Sequence, residues 1–326
     1  MDKKFFFTSF VIICSLFSCG EISNIDKDLT TKGDDVFNGL KNRPQVFRFS
    51  LDSSISFVGE KGTLIKLNEG CLLNIEGKAV KDSLILELTE FYSLSEIIFS
   101  KLSSQTSDNL LETSGMVLVS IRSKSGDEIK VNKKMGFEVG IVVNGDFSND
   151  MRLYGGNMRA DESVIWNDVI ADLNDITSKK NDTIYSEDGG YMISVDEEQR
   201  MELDYYIYSS HEFGWLNADK EIEYSGNSKG NLNIKSDVTH NVSYSLIFTK
   251  LNAVSIPIEK EKDISKFYNL PIGEQATLIG LYKDGNQYYM CNEKIVVQDG
   301  MIIDPIFRKV TVENLKQEID EIEWNN

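Results

Sequence analysis

One stretch of this 326-residue chain holds the residue types of an acyl-transfer site. Ser209, Ser210, His211 and Glu212 are consecutive, and Asp219 lies seven residues after Glu212. Acyl transfer needs a nucleophile, a base and an orienting acid that converge in space. No serine here lies in the Gly-x-Ser-x-Gly pattern of a nucleophile elbow, so we do not predict catalysis at this stretch.

Paired carboxylates are a second candidate, because glycoside hydrolysis uses two of them. Glu197-Glu198 and Glu221 with Glu223 are such pairs. The chain has 52 acidic residues against 34 Lys and Arg, which gives a net charge of −18. Carboxylates in a chain this acidic fall near one another by chance, so we interpret these pairs as solvated surface.

Metal and cofactor sites are not indicated. Asp146, Asn149 and Asp150, or Asp34-Asp35, could offer oxygen atoms to calcium, but neither run matches an EF-hand loop. The chain has two histidines and no CxxC pair, so a zinc site would need an unusual ligand set. We predict no metal and no cofactor.

An aromatic cluster is the best candidate for contact with a ligand or partner. It comprises Tyr205, Tyr206, Tyr208, Phe213 and Trp215. Alternation along a strand places Tyr206 and Tyr208 on one face and Tyr205 on the other. Core packing explains most of this pattern, and truncation of a buried Trp215 would cost ~3–5 kcal/mol. Tyr206, Tyr208 and Trp215 remain the candidate contact residues for a sugar ring or a protein partner.

The amino terminus carries the clearest functional signal. Lys3 and Lys4 precede a short apolar run, and Leu16-Phe17-Ser18-Cys19 resembles the lipobox of bacterial lipoproteins. That resemblance implies a signal peptide at residues 1–18, with lipid on the Cys19 thiol and acyl chains such as palmitate. An ordinary cleaved signal is the alternative. Several acyl chains, at ~0.8 kcal/mol per buried CH2, would hold the protein on a membrane.

The elements that follow are mainly β. Polar residues 19–44 predict a flexible tether. Short alternating runs between glycines predict a β-sandwich at 45–150, with a short helix where Ser93 and Glu96 form a capping box. Residues 151–326 predict a second β-rich domain, in which Asp284-Gly285 marks a hairpin and residues 311–323 form a C-terminal helix. We therefore predict two sandwich-like domains.

Three stretches resemble the amino-terminal domain of Bacteroidetes-type surface lipoproteins of unknown function, a domain similar to the ZU5-like β-sandwich. They are Gly59–Ile65, Leu84–Ser93 and Leu111–Met116. Phe213–Asp219 and Leu270–Gly273 look like further pieces of the same lipoproteins, although Lys220 stands where an arginine is expected. The resemblance implies a lipid-anchored β-rich protein and brings no catalytic residues.

These observations favour a cell-envelope lipoprotein that acts as a binding or scaffolding module and is not an enzyme. We expect it on the outer membrane of a Gram-negative bacterium, with the membrane and an unidentified protein or glycan as partners. The acidic charge disfavours nucleic acid as a partner, because binding phosphates requires cations. The alternative is an extracytoplasmic hydrolase that attacks glycans or peptides with carboxylates. An enzyme would show convergent carboxylates in a deep pocket, and a binding module a flatter aromatic patch.

Overall fold

The computed structural model describes residues 36–37, 39–81, 83–143, 148–172, 175–180, 184–185, 192–193, 202–224, 229–238, 240–322 and 324. Gly33–Asn326 forms one compact unit. Cys19, the predicted signal peptide at 1–18 and the predicted tether as far as residue 35 lie outside the described residues. Asp34, Asp35, Asp146, Glu197 and Glu198 lie outside them as well.

The described chain consists mainly of β-strands, as predicted. In chain order the first are β1 Gln45–Phe49, β2 Ile55–Val58, β3 Leu64–Leu67, β4 Leu72–Leu73, β5 Leu84–Phe91, β6 Leu111–Ser123, β7 Lys130–Val131, β8 Phe137–Val142, β9 Arg152–Met158, β10 Val164–Asp172, β11 Asp175–Lys180 and β12 Ile184–Tyr185. The rest are β13 Met192–Ile193, β14 Glu202–Ser210, β15 Gly214–Glu221, β16 Lys229–Lys235, β17 Ser243–Phe248, β18 Ala253–Ser255, β19 Glu259–Glu261, β20 Ile264–Pro271, β21 Gln275–Asp284, β22 Gln287–Val296, β23 Met301–Ile303 and β24 Arg308–Val310. The described helices are α1 Leu94–Phe99 and α2 Val312–Asp320.

Two sheets form the first sandwich. Sheet A has the strand order β1-β5-β6-β15-β9-β10, and sheet B has the order β11-β14-β8-β3-β2. Alternate residues of both sheets point between them and form one buried core, with Leu88, Val119 and Leu216 from sheet A and Val139 and Tyr206 from sheet B. Burial of this shared apolar area stabilises the pair of sheets.

The second sandwich lies later in the chain. Sheet C has the order β19-β20-β16-β23, and sheet D has the order β18-β17-β21-β22-β24. Leu232 and Phe267 of sheet C pack against Leu246, Leu278 and Cys291 of sheet D. Here β21 and β22 form the predicted hairpin, in which Gly285 adopts a φ of +56° that glycine tolerates without a Cβ clash.

A third core layer joins the two sandwiches. Its residues come from the outer face of sheet A, from the face of sheet D opposite its own sandwich core, and from both helices. Ile97 of α1 and Ile319 of α2 are fully buried there. Helix α1 begins with the predicted capping box of Ser93 and Glu96, and Thr311 caps α2. No helix in the described part of the chain is long and apolar enough to cross a membrane.

The division between the sandwiches differs from the predicted domain boundary at residue 150. Strand β15 pairs with β6 on one side and with β9 on the other. Sheets A and B therefore use strands from Gln45 to Glu221, and sheets C and D use strands from Lys229 to Val310. The first sandwich therefore extends well past residue 150. The sequence did not indicate this, because pairing partners about 100 residues apart leave no local sequence signal.

The stretches that carry the lipoprotein resemblance meet at one end of the first sandwich. The buried Glu90 carboxylate accepts hydrogen bonds from the main-chain N–H groups of Lys61 (3.0 Å) and Thr63 (2.9 Å) and from Gln45 Nε2 (2.7 Å). A Cβ on Gly59 would lie 2.5 Å from that carboxylate, so the close approach requires glycine. These residues thus hold the loop between β2 and β3 against β5.

Cys71 and Cys291, the two cysteines of the folded body, are free and buried. Burial raises the pKa of the Cys71 thiol to about 11 and that of the Cys291 thiol to about 12. Cys71 lies in the core of the first sandwich and Cys291 in the core of the second. Thiols with such pKa values are packing residues at neutral pH.

Candidate functional site

The stretch with the residue types of acyl transfer is not assembled for that chemistry. The Ser210 hydroxyl donates to the main-chain oxygen of Glu212 at 2.8 Å. His211 Nδ1 is buried and has no hydrogen-bond partner among the described residues. Asp219 is fully buried, where its carboxylate accepts from Asn217 Nδ2 at 2.5 Å. The acid and the imidazole therefore have separate surroundings.

Asp219 is instead part of a buried polar group. Thr113 Oγ1 donates to Asn217 Oδ1 at 3.0 Å, and Asn217 in turn donates to Asp219. Burial, with the charge of Glu112 as a smaller cause, raises the pKa of the Asp219 carboxyl well above its usual range. This carboxyl lies beside a bulge between Ala218 and Asp219 in the pairing of β15 with β6, so its position is set by the fold.

The remaining carboxylates and possible metal ligands add no site. Glu221 ends β15, where Asn109 Nδ2 donates to it at 3.4 Å, and Glu223 is exposed. The described residues contain no group of three or more His, Cys, Asp or Glu side chains that could hold a metal ion.

The aromatic cluster is divided among different cores. Tyr206 and Tyr208 are both 0% exposed in the core of the first sandwich, and Tyr205 is equally buried in a small cluster on the other face. The alternation along β14 is as expected, but sheet A covers the face that carries Tyr206 and Tyr208. Tyr206 and Tyr208 therefore have no solvent-exposed surface, and they cannot make the ligand or partner contact that was predicted for them. Phe213 packs on Phe137 at 5.3 Å between ring centroids.

Trp215 has a different position. It is half-buried on the outer face of sheet A, where its ring packs against Phe91 at 5.4 Å between centroids and an interplanar angle of 35°. It lines an open groove with a volume of about 410 Å³. We call this the Trp215 groove; its lining residues are Lys41, Asn42, Pro44, Glu87, Thr89, Phe91, Ser100, Leu118, Ser120, Met158, Glu162 and Trp215.

Sheet A positions the indole through one row of residues that crosses its strands. Thr89 pairs with Leu118, Leu118 with Trp215, and Trp215 with Gly156. A Cβ on Gly156 would lie 2.7 Å from the Trp215 Cβ and 2.6 Å from the ring of Trp166, so glycine permits both tryptophans to flank this point. The floor of the groove is therefore made by central strands and is rigid.

Charged pairs and neutral polar groups form the rim. Lys41 Nζ contacts a Glu162 oxygen at 3.0 Å across one end, and Arg122 contacts Glu87 at 3.1 Å along one side. Ser120 Oγ donates to the second oxygen of Glu87 at 3.4 Å. The rim thus presents hydroxyl, amide and carboxylate groups whose charges are balanced locally.

A second, larger cleft of about 720 Å³ lies between α2 and sheet D. Its lining is aliphatic and charged, with Ile247, Ile295 and Ile322 beside Lys294 and Glu318, and it contains no aromatic ring. Binding clefts are typically lined by aromatic and apolar side chains with a few polar groups that fix orientation. The Trp215 groove fits that description better and is the candidate site.

Sequence reasoning included Trp215 but missed its neighbours. Phe91, Leu118 and Met158 come from β5, β6 and β9, and no local pattern links them. Comparisons add nothing to this interpretation, because the chain matches no protein-family model, no curated protein and no solved structure. The function must therefore be inferred from the groove's own residues.

Proposed function

We propose that this protein is a lipid-anchored envelope lipoprotein whose folded body acts as a binding or scaffolding module through the Trp215 groove. The anchor is the lipidated Cys19, and the location is the outer membrane of a Gram-negative bacterium. The partner is a protein or glycan of the envelope. The groove carries the proposal, because it combines a half-buried aromatic floor with a polar rim on the β-rich body.

The amino-terminal sequence supports the anchor. A basic start, an apolar run too short to span a bilayer and a small residue before Cys19 are the features that lipoprotein processing requires. The resemblance of three later stretches to surface lipoproteins also supports a lipid anchor. The polar residues after Cys19 would separate the folded body from the membrane surface.

The geometry of the groove supports binding. Its volume of about 410 Å³ falls within the roughly 300–1,000 Å³ usual for ligand clefts. Met158 at its edge is 58% exposed although it is apolar. An exposed apolar side chain beside an aromatic ring is an effective contact surface when a partner removes it from water.

Two measurements test the two halves of this proposal. Cys19→Ser is expected to abolish incorporation of labelled fatty acid and to release the protein from the membrane fraction. A photoreactive residue at Met158 is expected to cross-link a ligand in living cells, and Trp215→Ala should remove the adduct. The same photoreactive residue at Met135, which is 45% exposed and lies outside the groove, is the matched control. Equal adducts at both positions would contradict a binding role for the groove.

The alternative function, a hydrolase that uses carboxylates, has less support from the structure. The two buried carboxylates that the structure describes are Glu90 and Asp219. Glu90 accepts from the loop between β2 and β3, and Asp219 accepts from Asn217. Neither lines the Trp215 groove. The two acids that do line it, Glu87 and Glu162, are held in ion pairs with Arg122 and Lys41, which disfavours the protonated acid that glycoside hydrolysis needs.

A further inference from the structure

We propose that the ligand of the Trp215 groove is a neutral saccharide chain, one of whose pyranose rings stacks on the Trp215 indole. This inference deepens the proposed function, because it names the ligand class for the same groove. It rests on four features of the groove: its aromatic floor, its neutral hydrogen-bonding rim, its balanced charges and its location on central strands.

The aromatic floor suits the apolar face of a sugar. A pyranose ring presents several C–H bonds on one face, and these carry partial positive charge. The face of an aromatic ring carries partial negative charge, and an indole has the largest such surface among the side chains. Trp215 is half-buried and packs beside Phe91, with 5.4 Å between the ring centroids, and this contact helps to orient the indole before a ligand arrives.

The rim suits the hydroxyl groups at the edge of the same ring. Ser100 can both donate and accept, as a sugar hydroxyl does. Ser120 donates to Glu87, and Asn42 Nδ2 donates to the main-chain oxygen of Glu90 at 3.0 Å, so these two side chains offer mainly their oxygen atoms as acceptors. Glu87 keeps acceptor capacity after its contacts with Arg122 and Ser120, because an ionised carboxylate offers about four lone-pair sites. A ring seated on Trp215 therefore has partners for its edge as well as its face.

The charges of the rim favour a neutral ligand. Glu162 is paired with Lys41, and Glu87 with Arg122. Lys41 is the one cation among the described lining residues, and it is already paired with Glu162, so the lining does not favour a carboxylate or sulfate of an acidic glycan. The net charge of −18 repels anions at longer range.

The location of the groove disfavours a peptide. Extended peptides gain affinity by adding a strand to the edge of a sheet. The strands that form the floor are β5, β6, β15 and β9, and each already pairs with a neighbour on both sides. Their main-chain groups are therefore occupied, and the floor of the groove offers side chains alone. Recognition through stacking and hydroxyl contacts remains available to a saccharide.

The test is calorimetric titration of the detergent-extracted, lipidated protein with hexasaccharides. The neutral probes are cellohexaose, maltohexaose, xylohexaose, mannohexaose and chitohexaose, and the acidic probe is hexagalacturonate. We expect at least one neutral probe to bind with a Kd below about 1 mM and hexagalacturonate to bind at least tenfold more weakly. Trp215→Ala should weaken the neutral probe at least about 30-fold, as loss of a central aromatic contact does.

A second pair of variants separates binding from folding. Met158→Glu changes an exposed residue at the groove, and Met135→Glu changes an exposed residue elsewhere. We expect the first to weaken binding at least tenfold and the second to leave it unchanged, with equal melting temperatures. The inference is overturned if no neutral hexasaccharide binds, if the acidic one binds as tightly, or if neither groove variant weakens binding. A Trp215-dependent cross-link at Met158 to a non-saccharide would then leave the binding function standing and exclude the saccharide.

Discussion

The two faces of sheet A differ in what covers them, and two adjacent residues on β15 show the difference. Leu216 points inward, where sheet B covers it and leaves it 1% exposed. Trp215 points outward, where the helices and the second sandwich cover only part of the sheet and leave the groove. A fully covered face stabilises the fold, whereas a partly covered face leaves apolar surface for a ligand. Burial therefore separates a core residue from the residue that we propose for ligand binding along one strand.

The largest effect is expected on the inner face. Leu216→Ala removes most of a side chain that is enclosed by the core of the first sandwich. We expect the free energy of unfolding to fall by about 3–4 kcal/mol, because the site loses apolar burial and is left with a cavity. Chemical denaturation measures this loss. A loss below that of Trp215→Ala would contradict the difference that we assign to the two faces.

The next effect concerns Glu90, which connects the two sheets at the end of the inner face. Glu90→Gln keeps one acceptor oxygen but directs an amide donor toward the N–H groups of the β2–β3 loop. We expect a loss of about 2–3 kcal/mol, since the hydrogen bonds to a buried charge are replaced by a clash of donors.

Glu87→Gln is the matched control for that change. Glu87 lies three residues earlier on β5, on the outer face, and its side chain is 31% exposed. Its ion pair with Arg122 is solvated, so we expect a loss below about 1 kcal/mol. Similar losses for the two variants in the same denaturation experiment would show that the loop does not depend on Glu90.

The free energy of unfolding is expected to depend on pH through the buried Asp219 carboxyl. Burial raises its pKa in the folded protein, whereas an aspartate in an unfolded chain has a pKa of about 3.9. The folded state therefore holds the proton more tightly. The stability that this provides is fully present below about pH 4 and is lost as the pH rises through the folded-state pKa.

We expect Asp219→Asn to remove this dependence on pH. Between the two pKa values the wild-type free energy of unfolding should fall relative to the variant by up to about 1.4 kcal/mol per pH unit. Urea denaturation of both proteins at pH 5, 6, 7 and 8 measures the difference. Parallel curves would mean that Asp219 has the same proton affinity in the folded and unfolded chains.

Much of the fold was predictable because its signals are local. The capping box at Ser93, the cap at Thr311 and the hairpin at Asp284-Gly285 each depend on neighbours within a few residues. The extent of the first sandwich was not predictable, because β15 pairs with β6 about 100 residues earlier. Pairing over that distance is set by the whole core and not by the strand's own sequence.

The candidate site was predictable only in part for a related reason. Alternation along β14 indicates which tyrosines share a face, but it does not indicate that sheet A covers Tyr206 and Tyr208. Trp215 differs from these tyrosines because its face of the sheet is only partly covered by the neighbouring layer. That coverage depends on the tertiary packing and not on the strand's own sequence. Its groove partners Leu118 and Met158 come from other strands, so the sequence identified one residue of the site and not the site itself.

Of the two adjacent residues on β15, Trp215 is expected to show the smaller loss of stability. An indole enclosed in a core would cost ~3–5 kcal/mol on truncation, but this ring is only partly buried and lines the open groove, so we expect about 1–2 kcal/mol for Trp215→Ala. Trp215→Phe should cost less than Trp215→Ala, because a phenyl ring keeps the contact with Phe91. Denaturation measured beside Leu216→Ala checks both values. A loss for Trp215→Ala as large as that of Leu216→Ala would make the indole a core residue. The groove would then lose the aromatic floor on which ligand binding depends.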